Sequence, residues 1–324
     1  MSLARRLVRH RGAAVGLLII GALALMALAA PWLSPRDPIK TAPRTALQPP
    51  SAAYWLGSDQ LGRDVASRVM HGARISLTVG LIAVSIAVVL GTPIGLVSGF
   101  YGGRLDAVIM RVIDVLLAFP GILLALAIVS VLTPGLTNVM IAVGLMSGYY
   151  GGRVDGFVMR VVDVLLAFPG ILLALAIVSV LSPGLNNVMI AVGLSAVPNY
   201  ARLVRASVLS AREQLYVEAA RALGSRDLSI VTRYILPNVV APLIVTGTLG
   251  LGTAILSAAA LSFLGLGSQP PQPEWGRMLS EGRDYLREAW WISTVPGLGI
   301  MLTVLAMNLL GDGLRDVLDP RLKI

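Results

Sequence analysis

The chain has 324 residues, 56% of them hydrophobic and 13% charged, with a net charge of +9. Soluble domains carry about 25% charged residues. Here apolar stretches of about 18 residues or more recur, each able to cross a hydrocarbon core of roughly 30 Å. The composition defines an all-α, polytopic transmembrane helical bundle and excludes a soluble enzyme. The positive charge is almost wholly arginine, since Lys40 and Lys323 are the only lysines. It sits between apolar stretches, where the positive-inside rule and anionic headgroups account for it, and not on a basic face fit for nucleic acid. With no cysteine, disulfides, thiolate catalysis and cysteine-bound metal are excluded.

Arg5, Arg6, Arg9 and Arg11 precede an apolar run from Ala13 to about Ala30. Ala27-Leu28-Ala29 resembles a signal-cleavage site, but the run exceeds the usual signal core of about 7–15 residues, so an uncleaved first span with a cytoplasmic start is expected. Residues 34–74 are then placed outside. Prolines 31, 35, 38, 43, 49 and 50 keep the first part extended. From Ser58, Leu61, Val65 and Val69 recur every fourth residue, and Asp59/Arg63 and Asp64/Arg68 have i,i+4 spacing. This pattern predicts a short amphipathic helix, either lying on the outer membrane surface or simply solvated.

A second span is expected from about Ile75 to Val97 and a third from about Ala107 to Leu132. A later span ending near Val204 leads into a polar, helix-coded stretch at 212–237, and another follows Pro237 to about Leu266. After a Pro- and Gly-rich outer loop, the last span covers about Trp291 to Leu310, closed by Gly311-Asp312-Gly313. This topology puts seventeen basic residues inside and nine outside, with both termini cytoplasmic.

Residues 98–145 and 147–194 match at 40 of 48 positions at an offset of 49. Near identity in direct orientation reads as a tandem duplication and not as the weak, usually inverted repeat of a transporter fold. Each copy carries one acid in an apolar helix, Asp114 and Asp163. Each is read either as a proton or cation site or as the partner of the arginine three residues earlier, Arg111 or Arg160. Pro120 and Pro169 predict kinks. Two added crossings are expected, through a short helix at 136–150 and a full one at 156–181. The alternative is a re-entrant stretch over 136–152.

Within 212–237, Leu215, Ala219, Ala222 and Leu223 share one helix face, with Glu218 and Arg221 away from it. Gly224 supplies a left-handed C-cap, Ser225 is placed to cap the next helix, and Asp227 sits in its first turn. Histidines 10 and 71 are the only two and fall on opposite sides of the membrane, so no metal site is expected. No G-x-x-x-x-G-K-[ST] stretch exists for binding ATP phosphates.

Glu218-Ala219-Ala220, Gly224 and Leu236-Pro237 resemble the EAA loop of permease subunits in ATP-binding-cassette importers. Trp55-Leu56-Gly57-Ser58-Asp59-Gln60-Leu61-Gly62-Arg63-Asp64, Ser262-Phe263-Leu264-Gly265-Leu266-Gly267 and Asn308-Leu309-Leu310-Gly311-Asp312-Gly313 are similar to stretches of the dipeptide/oligopeptide/nickel permeases. The likeness is to their second permease type, which has an N-terminal extension span. It implies the type I importer permease fold, with six spans plus about two from the repeat. It also implies an N-terminal segment at 1–74, a permease core at 75–324 and a coupling loop at 212–237. Glu218, Ala219, Ala220, Gly224, Leu236 and Pro237 would couple to an ATPase. Asp59, Arg63, Asp64 and Trp275 would lie on the extracytoplasmic, binding-protein side, with Trp275 either a contact or gate accessible from outside or an anchor of the loop in the interfacial aromatic belt. The implied partners are a homologous permease, two ATPase subunits that bind ATP and Mg²⁺, a solute-binding protein and the lipid bilayer. No cofactor or catalytic residue is expected in the chain itself. Nickel or small-solute import, a secondary transporter or channel, and an inactive duplicated scaffold are the alternative readings.

Overall fold

The computed structural model describes residues 3–118 and 183–318. The expectations for Pro120, Asp163, Pro169 and the crossings at 136–150 and 156–181 fall outside the described residues. Ten α-helices are described: α1 (Leu3–Arg9), α2 (Arg11–Leu33), α3 (Val65–Tyr101), α4 (Gly103–Ala118), α5 (Leu185–Arg212), α6 (Leu215–Ala222), α7 (Asp227–Ile230), α8 (Leu236–Phe263), α9 (Trp275–Gly282) and α10 (Trp291–Leu318). Among the described residues four helical runs are long and apolar enough to cross a membrane: Arg11–Leu33, Val65–Tyr101, Asp227–Phe263 and Trp291–Leu318. The third joins α7 to α8 through a π-turn at Val231–Ile235.

The chain forms two compact units. Among the described residues, the first comprises 3–83, 183–189 and 248–318, and the second comprises 84–118 and 190–247. The N-terminal segment 1–74 therefore shares a unit with the last span.

In the first unit α2 packs along α10 through small residues, which allow close backbone approach in a medium that gives no hydrophobic drive between helices. A Cβ on Gly16 would lie 2.7 Å from the Ala306 carbonyl oxygen, and one on Gly313 would lie 2.4 Å from Ala13 Cβ. His10 caps α2 by accepting the Ala13 N–H at 3.2 Å, and its other ring nitrogen lies 3.1 Å from Asp316. The expected stop at Gly311-Asp312-Gly313 does not occur, and α10 continues to Leu318. Those glycines are packing positions, since a Cβ on Gly311 would meet Leu249 at 2.5 Å. The unit's core joins Leu23, Val65, Val69, Trp275, Met278 and Ile292.

In the second unit α3 and α5 meet along a glycine ladder. Gly91, Gly95 and Gly99 recur every four residues, so all three face one way. Added Cβ atoms would lie 2.9 Å from Val197 O, 2.4 Å from Ala201 O and 3.0 Å from Arg205 O, respectively. Phe100, Tyr200, Val204, Val208, Val217, Ile230 and Ile235 fill the core around this seam. Gly95→Val is expected to destabilise the protein by roughly 1–3 kcal/mol or more, because backbone cannot yield to the new methyls. Thermal unfolding of the detergent-purified chain measures this, and an unchanged midpoint would contradict the seam.

Candidate functional site

Two clusters hold the residues singled out by sequence. The first is the helix–turn–helix at 212–237. Helix α6 buries Val217 and Ala220 in the core of the second unit. The face expected to be apolar, Leu215, Ala219, Ala222 and Leu223, is exposed together with Glu218 and Arg221. Leu215 is 81% and Leu223 86% accessible, and Leu228 just beyond is 75% accessible. The helix therefore has two apolar faces. One packs into the protein, and the other is left open beside an acidic side chain.

Gly224 has φ of +77°, a conformation that costs a residue with a Cβ about 1–2 kcal/mol. The Gly224 N–H donates to Arg221 O and the Ser225 N–H to Ala220 O, both at 3.0 Å, which is the paired bonding of a Schellman stop. The Ser225 cap is not formed. Arg226 takes the N-cap position of α7 without a side-chain bond. Asp227 lies in the first turn, as expected. The π-turn ends just before Leu236-Pro237, and the Leu236 N–H reaches back five residues to Val231 O. Pro237 has no N–H and its ring crowds the preceding turn, so a widened turn at this point accommodates it. The Asn238 side-chain amide donates to Tyr216 Oη at 3.1 Å and to Tyr234 O at 2.7 Å, tying α6 to the start of α8.

The second cluster is a buried charge network in the first unit. The amphipathic helix expected from Ser58 is not present. Residues 58–64 form a tight loop closed by a bridge between Ser58 and Asp64, and helix begins only at Val65. Gly57 and Gly62 have φ of +79° and +73°, and a Cβ on Gly62 would lie 1.9 Å from Ala42 O. Asp59 accepts the Leu61 and Arg63 N–H groups, both at 2.9 Å, so its carboxylate builds the loop. Asp64 caps α3 by accepting the Ser67 N–H at 2.8 Å and the Ser67 hydroxyl at 2.6 Å. The expected Asp59/Arg63 pair forms, at 2.6 Å. Arg68 turns instead to Glu281 at 3.0 Å and Asp59 at 3.5 Å, and Arg63 also reaches Glu281, at 2.9 Å. Asp59, Arg63, Asp64 and Arg68 are all buried.

Trp275 is also fully buried, and its indole N–H donates to Val69 O at 3.1 Å. It opens α9, which Glu274 caps by accepting the Gly276 and Arg277 N–H groups at 2.9 Å. Burial pushes the Glu274 carboxyl above the usual carboxylate range, opposed by those same N–H groups. The expectation of a Trp275 ring presented to the outside is therefore corrected. The prolines before it stiffen the loop, but the ring turns inward against α3. Arg63 is withdrawn from the surface as well. Asp114, read as a partner of Arg111, makes an ion pair with Arg202 of α5. The geometry missed by sequence is long-range: Asp106 with Arg205, and Glu281 with Arg63 and Arg68.

Four described helical runs long and apolar enough to cross a membrane, together with a helix–turn–helix that leaves one apolar face exposed, define an integral membrane protein. The chain belongs to the family described as binding-protein-dependent transport system inner membrane component, whose profile matches residues 140–324. Residues 2–50 match the N-terminal TM domain of oligopeptide transport permease C. The chain is 42% identical over 319 residues to the dipeptide transport system permease protein DppC of Alkalihalophilus pseudofirmus, covering 98% of this chain and 89% of that protein. It is also 42% identical over 320 residues to the di/tripeptide transport system permease protein DppC of Pseudomonas aeruginosa, covering 97% and 89%. The glutathione transport system permease protein GsiD of Escherichia coli is 42% identical over 320 residues, covering 98% and 89%.

Two measurements check these placements in this cysteine-free chain. Cysteines at 63 and 275 are expected to resist water-soluble thiol reagents until the protein is unfolded, whereas Leu223→Cys labels at once. Glu281→Ala leaves two buried guanidiniums with Asp59 as their one shared carboxylate. It is expected to cost about 3–5 kcal/mol of stability, and a variant as stable as the parent would contradict the network.

Proposed function

We propose that the chain is one of two homologous permease subunits that line the import path for di- and oligopeptides. The observation that carries this reading is the exposed face of α6: Leu215, Ala219, Ala222 and Leu223 beside Glu218, on a helix whose opposite side is locked into the core. An apolar patch at a helix projecting from a membrane bundle needs a soluble protein to cover it. In an importer of this family that protein is an ATPase. Two such subunits bind ATP and Mg²⁺, and their closure pushes on α6. A solute-binding protein delivers peptide from the other side of the membrane. The relatives named for dipeptides, tripeptides and glutathione support a peptide as cargo.

The roles divide accordingly. Glu218, Ala219 and Ala220 belong to the docking helix, Gly224 makes its sharp exit, and Leu236-Pro237 marks the return into the membrane. Asp59, Arg63 and Asp64 shape an extracytoplasmic scaffold from within, and Trp275 pins α9 to it. The chain sits in the plasma (inner) membrane with both termini in the cytoplasm.

Glu218→Lys and Gly224→Val test this reading. Either is expected to abolish peptide uptake and reduce co-purification of the ATPase at least ten-fold, with membrane insertion and peptide binding by the binding protein unchanged. Normal uptake by either variant with an intact ATPase complex would show that α6 is not the coupling element.

A further inference from the structure

The exposed face of α6 does not by itself explain how a push there reaches the transmembrane helices. Helix α5 ends at Arg212 and α6 begins at Leu215, so only two residues separate them. The joint is bonded as well as short, since the Gln214 N–H donates to Ala211 O at 3.2 Å and the Val217 N–H to Gln214 O at 2.9 Å. Movement of α6 therefore acts first on the end of α5, and at that end α5 is fastened to two other helices.

Arg212 donates from one guanidinium nitrogen to Gly99 O at 3.3 Å and to Phe100 O at 3.2 Å. These are last-turn carbonyls of α3, which have no intrahelical donor and carry the negative end of the helix dipole. Two turns earlier on α5, Arg205 grips both carboxylate oxygens of Asp106, in the first turn of α4. The Ser98 hydroxyl, on the last turn of α3, donates to the same carboxylate. Between Ser98 and Asp106 the chain reverses through Gly102 and Gly103, with φ of +64° and +58°. The end of α3, the start of α4 and the end of α5 thus meet at one charged joint, directly above the glycine ladder. The Arg205–Asp106 pair is partly buried, 30% and 13% exposed, and bidentate, so it resists both sliding and rotation of α5.

We propose that Asp106, Arg205 and Arg212 are positioning residues that transmit movement of α6 into α3 and α4. The proposal rests on the reading of α6 as the ATPase-coupling helix. It also assigns a role to one copy of the repeat. The second copy carries the same local sequence, Ser147, Gly151, Gly152 and Asp155, offset by 49, yet Arg205 is bound to the aspartate of the first. Asp155 is therefore an internal control of identical chemistry in the same protein.

The test uses the full complex, reconstituted in vesicles with both permeases, the ATPases and the binding protein, with labelled dialanine to pentaalanine as the probe. Uptake, ATP hydrolysis and subunit yield are measured together. Asp106→Asn is expected to raise the ATP hydrolysed per peptide imported at least ten-fold with ATPase still bound, while Asp155→Asn stays within two-fold of the parent. Exchanging the charges, Asp106→Arg with Arg205→Asp, is expected to restore coupling in part. If Asp106→Asn reduces the amount of complex, Arg212→Gln decides, because it keeps the ion pair and removes only the bonds to α3; a raised ratio supports the proposal. A parental ratio in Asp106→Asn or Arg212→Gln complexes that retain ATPase overturns it, as do equal effects of Asp106→Asn and Asp155→Asn. Failure of the underlying reading looks different: Glu218→Lys would then leave ATPase binding and uptake intact.

Discussion

The closeness of α3 and α5 is the constraint on which the second unit depends. Three glycines four residues apart remove every side chain from one face of α3, and the backbone of α5 fills the space. Within lipid, helix association gains little from excluding water, so dispersion across such a narrow contact carries the stabilisation. Burial of Val204 and Val208 follows from this approach, and so does the reach of Arg205 and Arg212 to the ends of α3 and α4. Helix α6 inherits its position from the same seam, because Val217 and Ala220 complete the core that the seam begins. The base of α6 consists of packed glycines backed by a bidentate ion pair.

The first unit solves a different problem. Buried ion pairs gain little net stability, because desolvation offsets their attraction, but a single partner left alone is costly. Arg63, Arg68, Asp59 and Glu281 share charges so that each has an opposite neighbour, and the Asp59 carboxylate also holds the loop at 59–63. Such an arrangement tolerates few geometries. It fixes α9 against the start of α3 and seats Trp275 between them. The residues in this region that look most like a binding surface in sequence are the inner frame of a scaffold.

Hydropathy reveals the four described spans because the bilayer imposes their length, although α5, expected as a span ending near Val204, is not among them. The Gly224 turn is legible because few residues other than glycine take a left-handed C-cap readily. The charged residues were harder to read. The spacing of Asp59/Arg63 and Asp64/Arg68 suits a helix, but Asp59 bonds its own loop and Asp64 caps the helix that follows, so the same four-residue interval arises from a turn. Glu281 lies 218 residues beyond Arg63, and no local pattern reports a contact of that separation. Asp114 was weighed against the nearest arginine in sequence, whereas Arg202 comes from a different helix. The glycine ladder is present in the sequence as two overlapping G-x-x-x-G spacings, but inside an apolar run such a spacing does not say which helix packs against it. The open face of α6 was found as an apolar stripe, but only the packing of Val217 and Ala220 on the other side shows that this stripe is left without a partner inside the chain.

The central claim is that α6 and the C-terminal end of α3 move as one body. Spin labels at two exposed positions, Val97 on α3 and Arg221 on α6, the latter away from the apolar face, report on it directly. The distance between them is to be measured in the assembled complex, first without nucleotide and then trapped with ATP and vanadate. The account predicts one narrow distance distribution that is the same in both states. A shift of several ångströms between the states would show that α6 swings independently of α3, and would contradict it.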